Sequence, residues 1–112
     1  MSEPRLSTRL MVQALVRRCS IAGLAATVAR RGDEDRGAML LKVNRFDAGV
    51  TVWTQTRVPD GTAAWMRGTG PDPVAETVSD AYVERQVKRD PDLWVIEIED
   101  RQSRFTPDGK LV

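Results

Sequence analysis

The stretch Asp-Pro-Asp-Leu-Trp-Val-Ile-Glu-Ile-Glu-Asp-Arg, residues 90–101, carries the strongest strand signal in the chain. Residues 93–96 are apolar at four consecutive positions, which is typical of a strand that is covered on both faces or lies centrally in a sheet. From there on apolar and acidic residues alternate, and Glu97 and Glu99 share one face. The sequence therefore predicts a final strand over residues 93–99.

A helix is predicted immediately before this strand, over residues 73–89, from apolar residues that recur at spacings of three and four. Pro91 disfavours helical geometry at Asp90, so the helix should end there. At the other end, Asp72 is suited to the N-cap and Pro73 to the first helical position. The signals at its two ends predict a helix that is followed directly by the final strand.

The N-terminal part of the chain predicts another amphipathic helix over residues 6–22, with Ser7 as the N-cap and Gly23 as the stop. A row of polar residues at intervals of four lies on one side of this helix and consists of Arg5, Arg9, Gln13 and Arg17. We interpret the row as a solvent-exposed face, and the alternative is a ridge that contacts phosphates.

Four strand patterns separated by short connections follow the first helix. They cover residues 24–31, 38–46, 50–57 and 62–67. Such an arrangement predicts an antiparallel meander. The expected fold class is α+β: a single compact domain over residues 1–112, with an antiparallel β-meander, two flanking helices and a final C-terminal strand. Residues 101–112 are polar, and we expect them to form a frayed tail.

Composition restricts the chemistry that the chain can perform. The 112 residues include one cysteine and no histidine, so an intrachain disulfide, a Cys/His zinc site and a histidine proton shuttle are excluded. No glycine-rich cofactor loop is present, and we expect neither a cofactor nor a metal. There is no apolar signal segment and no membrane-length apolar run. We expect a cytoplasmic protein without a membrane partner.

Charge is divided unevenly along the chain. Residues 1–57 contain ten Arg and Lys against five Asp and Glu, whereas residues 58–112 contain seven against eleven. We interpret this asymmetry as ion pairing within the fold or between copies. In particular, Glu97 and Glu99 are expected to pair with cations of a neighbouring strand, such as Lys42 or Arg45.

The candidate interaction surface combines the cations of the first half, an aromatic anchor and the two strand acids. It consists of Arg30, Arg31, Lys42, Arg45, Trp53, Glu97 and Glu99. One alternative function is nucleic-acid binding by the basic N-terminal half, with Trp53 stacking on bases. Another is hydrolysis by Glu97 and Glu99, whose positions on a strand are about 6.6 Å apart. No catalytic residue is assigned.

Several motifs together resemble a known family. They are Arg17-Arg18-Cys19, Arg30-Arg31-Gly32, Gly37-Ala38, Leu41-Lys42-Val43 and residues 89–95 with the acids that follow. The resemblance covers most of the chain and is to the DUF1491 family, a group of short, largely alphaproteobacterial proteins without an assigned function. It implies a bacterial cytoplasmic protein and transfers no activity or site. We therefore expect a non-enzymatic accessory or protein-interaction module that binds a protein or a second copy of itself.

Overall fold

The computed structural model describes residues 6–60 and 63–112. It contains two α-helices and six strands, with a short 3₁₀-helix at Phe46–Ala48. In chain order the elements are α1 (Thr8–Ile21), β1 (Ala25–Arg30), β2 (Met39–Asn44), β3 (Val50–Arg57), β4 (Ala63–Arg67), α2 (Glu76–Arg89), β5 (Trp94–Glu99) and β6 (Lys110–Leu111). These elements form one compact α+β domain, which confirms the expected fold class.

The six strands form one sheet in the order β1-β5-β2-β3-β4-β6. The antiparallel meander comprises three strands, β2, β3 and β4. We expected a meander of four strands, and this is wrong because β1 does not pair with β2. β5 lies between β1 and β2, antiparallel to β1 and parallel to β2. Its burial explains this position, because a strand that is apolar on both faces is stable only where strands and helices surround it.

The two helices cover opposite faces of the sheet. On one face, α1 contributes Val12 and Cys19 to a core that also contains the three tryptophans. On the other, α2 packs against a smaller cluster around Leu40 and Val95. Alternation along β5 gives Ile96 to the first face and Val95 to the second, as the sequence pattern indicated.

Helix α1, at Thr8–Ile21, is slightly shorter than the predicted span 6–22, but its N-cap at Ser7 and its stop at Gly23 are as predicted. Leu10 N donates to the Ser7 hydroxyl at 3.3 Å, and Gly23 has φ of +78°, which is the left-handed geometry of a glycine stop. The start of α2 is a correction, because its N-cap is Ala75 and not Asp72. Val74 is held extended by a bridge to Val50, with backbone N–O distances of 2.8 and 2.9 Å. This bridge prevents the helix from starting earlier.

The C-terminal segment is docked onto the domain, in contrast to the frayed tail that we expected. Phe105 is buried, and Trp65 donates its indole N–H to the Asp108 carbonyl at 2.9 Å. Beyond this contact, β6 pairs with β4 in parallel. The anchors of the tail include one buried aromatic ring and hydrogen bonds to backbone carbonyls. Neither is visible in the polar composition of the segment.

The stretch before β5 joins the β1–β2 connection through a tight backbone contact. Asp33 N donates to Asp92 O at 2.9 Å, and the Trp94 indole donates to Asp33 O at 2.7 Å. A Cβ at Gly32 or at Gly37 would overlap the Asp92 carbonyl oxygen. The contact therefore requires glycine at both positions, and it links the motifs that carry the family resemblance.

Candidate interaction surface

A buried lysine with three carboxylates lies on the face of the sheet that α2 covers. Lys42 is in register with Glu97 on β5, and its side chain is only 10% exposed. Its ammonium nitrogen is 2.8 Å from Glu76, 2.8 Å from Asp80 and 3.4 Å from Glu97. The ion pair between Lys42 and Glu97 confirms the pairing expected from the charge pattern. Asn44 lies beside it and is 3.4 Å from Glu76.

This cluster keeps Lys42 protonated. Burial of the ammonium group lowers the pKa of Lys42, but hydrogen bonds to Asp80 and Glu76 and the charge of Glu97 outweigh burial. The net result is a pKa well above the usual range of a lysine. Nucleophilic or general-base chemistry needs a neutral amine near pH 7. The geometry therefore supports a structural ion cluster that fixes α2 against the sheet.

Arg45 lies beyond the end of β2 and contacts a different acid. Its Nε is 3.2 Å from Asp100, which is fully buried, and another of its nitrogens donates to Phe105 O at 3.0 Å. Asp100 also accepts hydrogen bonds from Arg104 N and Phe105 N at 2.8 and 2.9 Å. The pair anchors the C-terminal segment, so Arg45 does not lie beside Lys42.

Arg30 is the last residue of β1, and Arg31 follows it, so both lie near the Asp92 contact. Arg30 donates to Leu93 O at 2.7 Å. Arg31 pairs with Glu34 at 3.1 Å, and its guanidinium carbon is 5.9 Å from the centre of the Trp94 ring. Both side chains are engaged within the fold at a site remote from Arg45 along the strands.

Trp53 is on the α1 face of the sheet and is 4% exposed. Its indole N–H has no hydrogen-bond partner within residues 6–60 and 63–112, and Arg67 lies over its ring at 4.7 Å. The two strand acids differ from each other. Glu97 is paired with Lys42, whereas Glu99 is exposed and lines an open depression of about 270 Å³ with Arg101 and Arg104. Of the seven residues selected from sequence, only Lys42 and Glu97 are in contact as a predicted pair.

The sequence reasoning missed the free edge of β1. In the described part of the chain, β5 is the only strand that pairs with β1. Every residue of β1 is exposed or half-exposed, and Val28 reaches 37%. From Ala25 to Ala29 the strand contains neither a charge nor a proline. This absence of charge was the signal available in the sequence, but its meaning depends on the sheet order.

Two further observations concern membranes and metals. Neither described helix is long and apolar enough to cross a bilayer. Within residues 6–60 and 63–112, no three side chains of His, Cys, Asp or Glu are grouped so that they could hold a metal ion.

Comparisons with solved structures agree with the whole fold. The crystal structure of a DUF1491 family protein from Caulobacter crescentus CB15 has 39% sequence identity and a TM-score of 0.86, covering 96% of this chain and 100% of that one. An NMR structure of a DUF1491 family protein from the same organism has 39% identity and a TM-score of 0.84, covering 98% and 99%. The solution structure of Atu0922 from A. tumefaciens has 26% identity and a TM-score of 0.68, covering 87% of each chain.

No functionally curated protein matches the chain. The model of the family described as "Protein of unknown function (DUF1491)" matches residues 6–106, which span α1 to β5 and the anchored start of the C-terminal segment. The chain belongs to the DUF1491 family.

Proposed function

We propose that this protein is a non-enzymatic protein-interaction module that binds an extended segment of a partner along the free edge of β1. The observation that carries the proposal is the exposed outer edge of β1, which is uncharged from Ala25 to Ala29, in a six-stranded sheet. A strand edge presents unpaired backbone N–H and C=O groups, which another chain can pair with. Strand addition of this kind is a recurring mode of peptide recognition.

Edge strands of monomeric proteins are commonly protected by charged side chains, by proline, by shortness or by a bulge. Of these devices β1 has two at its end, the charged Arg30 and a bulge between Val28 and Arg30. They leave the four residues from Ala25 to Val28 in regular pairing with β5. The regular part is long enough to pair with a short extended segment. Its side chains, two alanines, a threonine and a valine, are short and leave room for the side chains of an added strand.

The chemistry of the described side chains is consistent with a binding role. Lys42 is held protonated in its ion cluster, and Asp100 and Arg45 are used to anchor the C-terminal segment. We place the module in the cytoplasm, because its single buried cysteine suits a reducing compartment.

The test is site-specific photocrosslinking in the native cell. A photoreactive phenylalanine analogue replaces Thr27 on the exposed edge in one variant and the exposed Thr77 of α2 in a matched control. The proposal predicts a protein adduct from position 27 that survives nuclease treatment and is absent from position 77. Adducts that disappear with nuclease would favour nucleic-acid binding instead. Equal adducts from both positions, or none from either, would contradict the proposal.

A further inference from the structure

Helix α1 is apolar on its outer side as well as on the side that packs on the core. Of the nine large apolar side chains that are exposed in the described part of the chain, four lie on α1 or directly before it. They are Leu6, Leu10, Met11 and Ile21. Single exposed apolar residues are ordinary, but a group of them on one helix marks an interaction surface.

Helix geometry places part of this group directly opposite the sheet. Val12 and Cys19 are buried in the core beneath α1. Leu10 precedes Val12 by two residues, which is a rotation of about 200° around the helix axis. Ile21 follows Cys19 by the same interval and lies on the same outer side. The exposed fractions, 46% for Leu10 and 79% for Ile21, agree with this placement.

A row of residues along the outer side connects these two positions. Ala14 and Arg17 lie between them and are both exposed. The outer row, with intervals of four, three and four, consists of Leu10, Ala14, Arg17 and Ile21. Such intervals are those at which one helix contacts another along a seam. The row extends over about 16 Å, which is about three turns of a partner helix.

The outer row contains one charge. Among the described residues Arg17 forms no ion pair, whereas its neighbour Arg18 is paired with Asp108. A partner that covers Leu10 and Ile21 also covers Arg17, because Arg17 lies between them. Removing a guanidinium from water without an anion is unfavourable. A partner that fits the row therefore brings a carboxylate to this position.

We infer that the outer row is a docking surface for an amphipathic helix of another protein, which has apolar residues at intervals of three and four and one acidic residue opposite Arg17. The inference goes beyond the proposed function, because the outer row faces away from the sheet whereas the β1 edge lies in its plane. A helix in this position packs its side chains into the spaces along α1. Ala14 is the smallest residue of the row and leaves room for a large side chain of the partner.

The composition of α1 disfavours a second copy of this chain as the occupant. The helix contains three arginines and no acid. In a symmetric pair of α1 helices, Arg17 would therefore meet no carboxylate of the facing helix. Like charges at an interface and a covered cation without a partner both oppose association. An acidic residue on a foreign helix removes both effects.

The probes are two labelled helical peptides of three heptads, with leucine at every a and d position except one central d position. That position is glutamate in one peptide and lysine in the other. Fluorescence anisotropy at low salt, with the peptides dilute enough to be monomeric, measures binding to the wild-type protein and its variants. Arg17→Glu reverses the charge of the row, and the control Arg85→Glu reverses an exposed arginine on α2. Because one helix face is a small interface, we expect dissociation constants in the micromolar range.

The wild type and the control should bind the glutamate peptide at least about fivefold more tightly than the lysine peptide. Arg17→Glu should reverse this order. Ile21→Ser removes an apolar residue of the row without changing its charge, and it should weaken binding of the glutamate peptide by about tenfold.

Equal binding of the two peptides to the wild type, no binding of either, or a preference that Arg17→Glu leaves unchanged would overturn the inference. A concentration-dependent dimer in sedimentation velocity that Ile21→Ser abolishes would also overturn it, because the occupant would then be a second copy. The crosslink from position 27 on β1 depends on none of these results. The proposed function and this inference can therefore fail separately.

Discussion

The two sides of the sheet differ in whether the chain covers the last long strand. At the β4 edge the chain itself supplies a covering strand: β6 pairs with Ala64 and Trp65, and Val112 N donates to Trp65 O at 2.9 Å. At the β1 edge nothing in the described chain pairs with the outer side of the strand. The segment that closes the β4 edge is fixed by a buried carboxylate, Asp100. The difference lies in length: the six-residue β1 forms one edge of the sheet, whereas the opposite edge is the two-residue β6.

The largest effect is expected from removing the anchor of the β4 edge. Asp100→Ala deletes the acceptor of two backbone amides and the partner of the half-buried Arg45. The free energy of unfolding should fall by about 3 kcal/mol, because buried donors and a cation lose their partner. Urea denaturation measures it. Asp108→Ala, which removes an exposed acid of the same segment, should change stability by less than about 0.5 kcal/mol. Similar losses in both variants would contradict the assigned role of Asp100.

The next effect concerns the end of β1. Gly32→Ala inserts a Cβ into the Asp92 carbonyl and should destabilise the fold by about 2 kcal/mol. Gly70→Ala provides the contrast, since no atom lies within 4 Å of its added Cβ. Its cost should come from a φ of +100° alone and amount to about 1 kcal/mol. Thermal unfolding of both variants checks the order, and a larger loss at Gly70 would show that the Asp92 contact is not tight.

A smaller effect is expected when the covering strand is removed. Deleting residues 110–112 takes away β6 and the hydrogen bond to Trp65 O. Stability should fall by about 1 kcal/mol. The amides of β4 that β6 protects should exchange faster with solvent, while the β1 amides keep their rates. Unchanged exchange in β4 would mean that β6 does not close this edge.

The smallest and most local effect is expected at low pH, where the C-terminal segment should detach from the β4 edge. Burial raises the pKa of Asp100, but hydrogen bonds from Arg104 N, Phe105 N and Arg45 outweigh it, and the net pKa is lowered from 3.8. A lowered pKa stabilises the fold above the unfolded value, and that contribution is lost as pH falls below 3.8 toward the folded pKa.

The two indole N–H signals report this transition by NMR. As pH falls below 3.8, the Trp65 signal should shift as Asp108 moves away, because its acceptor belongs to the anchored segment. The Trp94 signal, bonded to Asp33 O near β1, is the internal control and should remain. Simultaneous loss of both signals would show that the two edges are not independent.

The elements of the fold were predictable because their signals are local. Ser7 and Gly23 bound α1 as predicted, and the apolar first half of β5 indicated its central burial. The sheet order was not predictable, because strand pairing depends on contacts between distant residues. The β1–β5 pairing and the Val50–Val74 bridge, which delays the start of α2, are both of this kind.

The candidate surface was harder to predict for the same reason. The alternation of residues along a strand assigns each residue to a face of the sheet, so the pairing of Lys42 with Glu97 could be expected. Alternation does not show which strands are neighbours. In the structure, Arg30, Arg45 and Trp53 lie at different ends of the strands or on different faces of the sheet. The β1 edge was not visible either, since a short run of small uncharged residues reads as a weak strand until its position at the margin is known.

The most direct test of the central claim is amide hydrogen exchange along β1 in the free protein, followed residue by residue by NMR. Alternate amides from Ala25 to Arg30 should exchange rapidly, because they face away from β5, while those that face β5 are protected. If all β1 amides are already protected in a monomeric sample, the β1 edge is not an open docking strand.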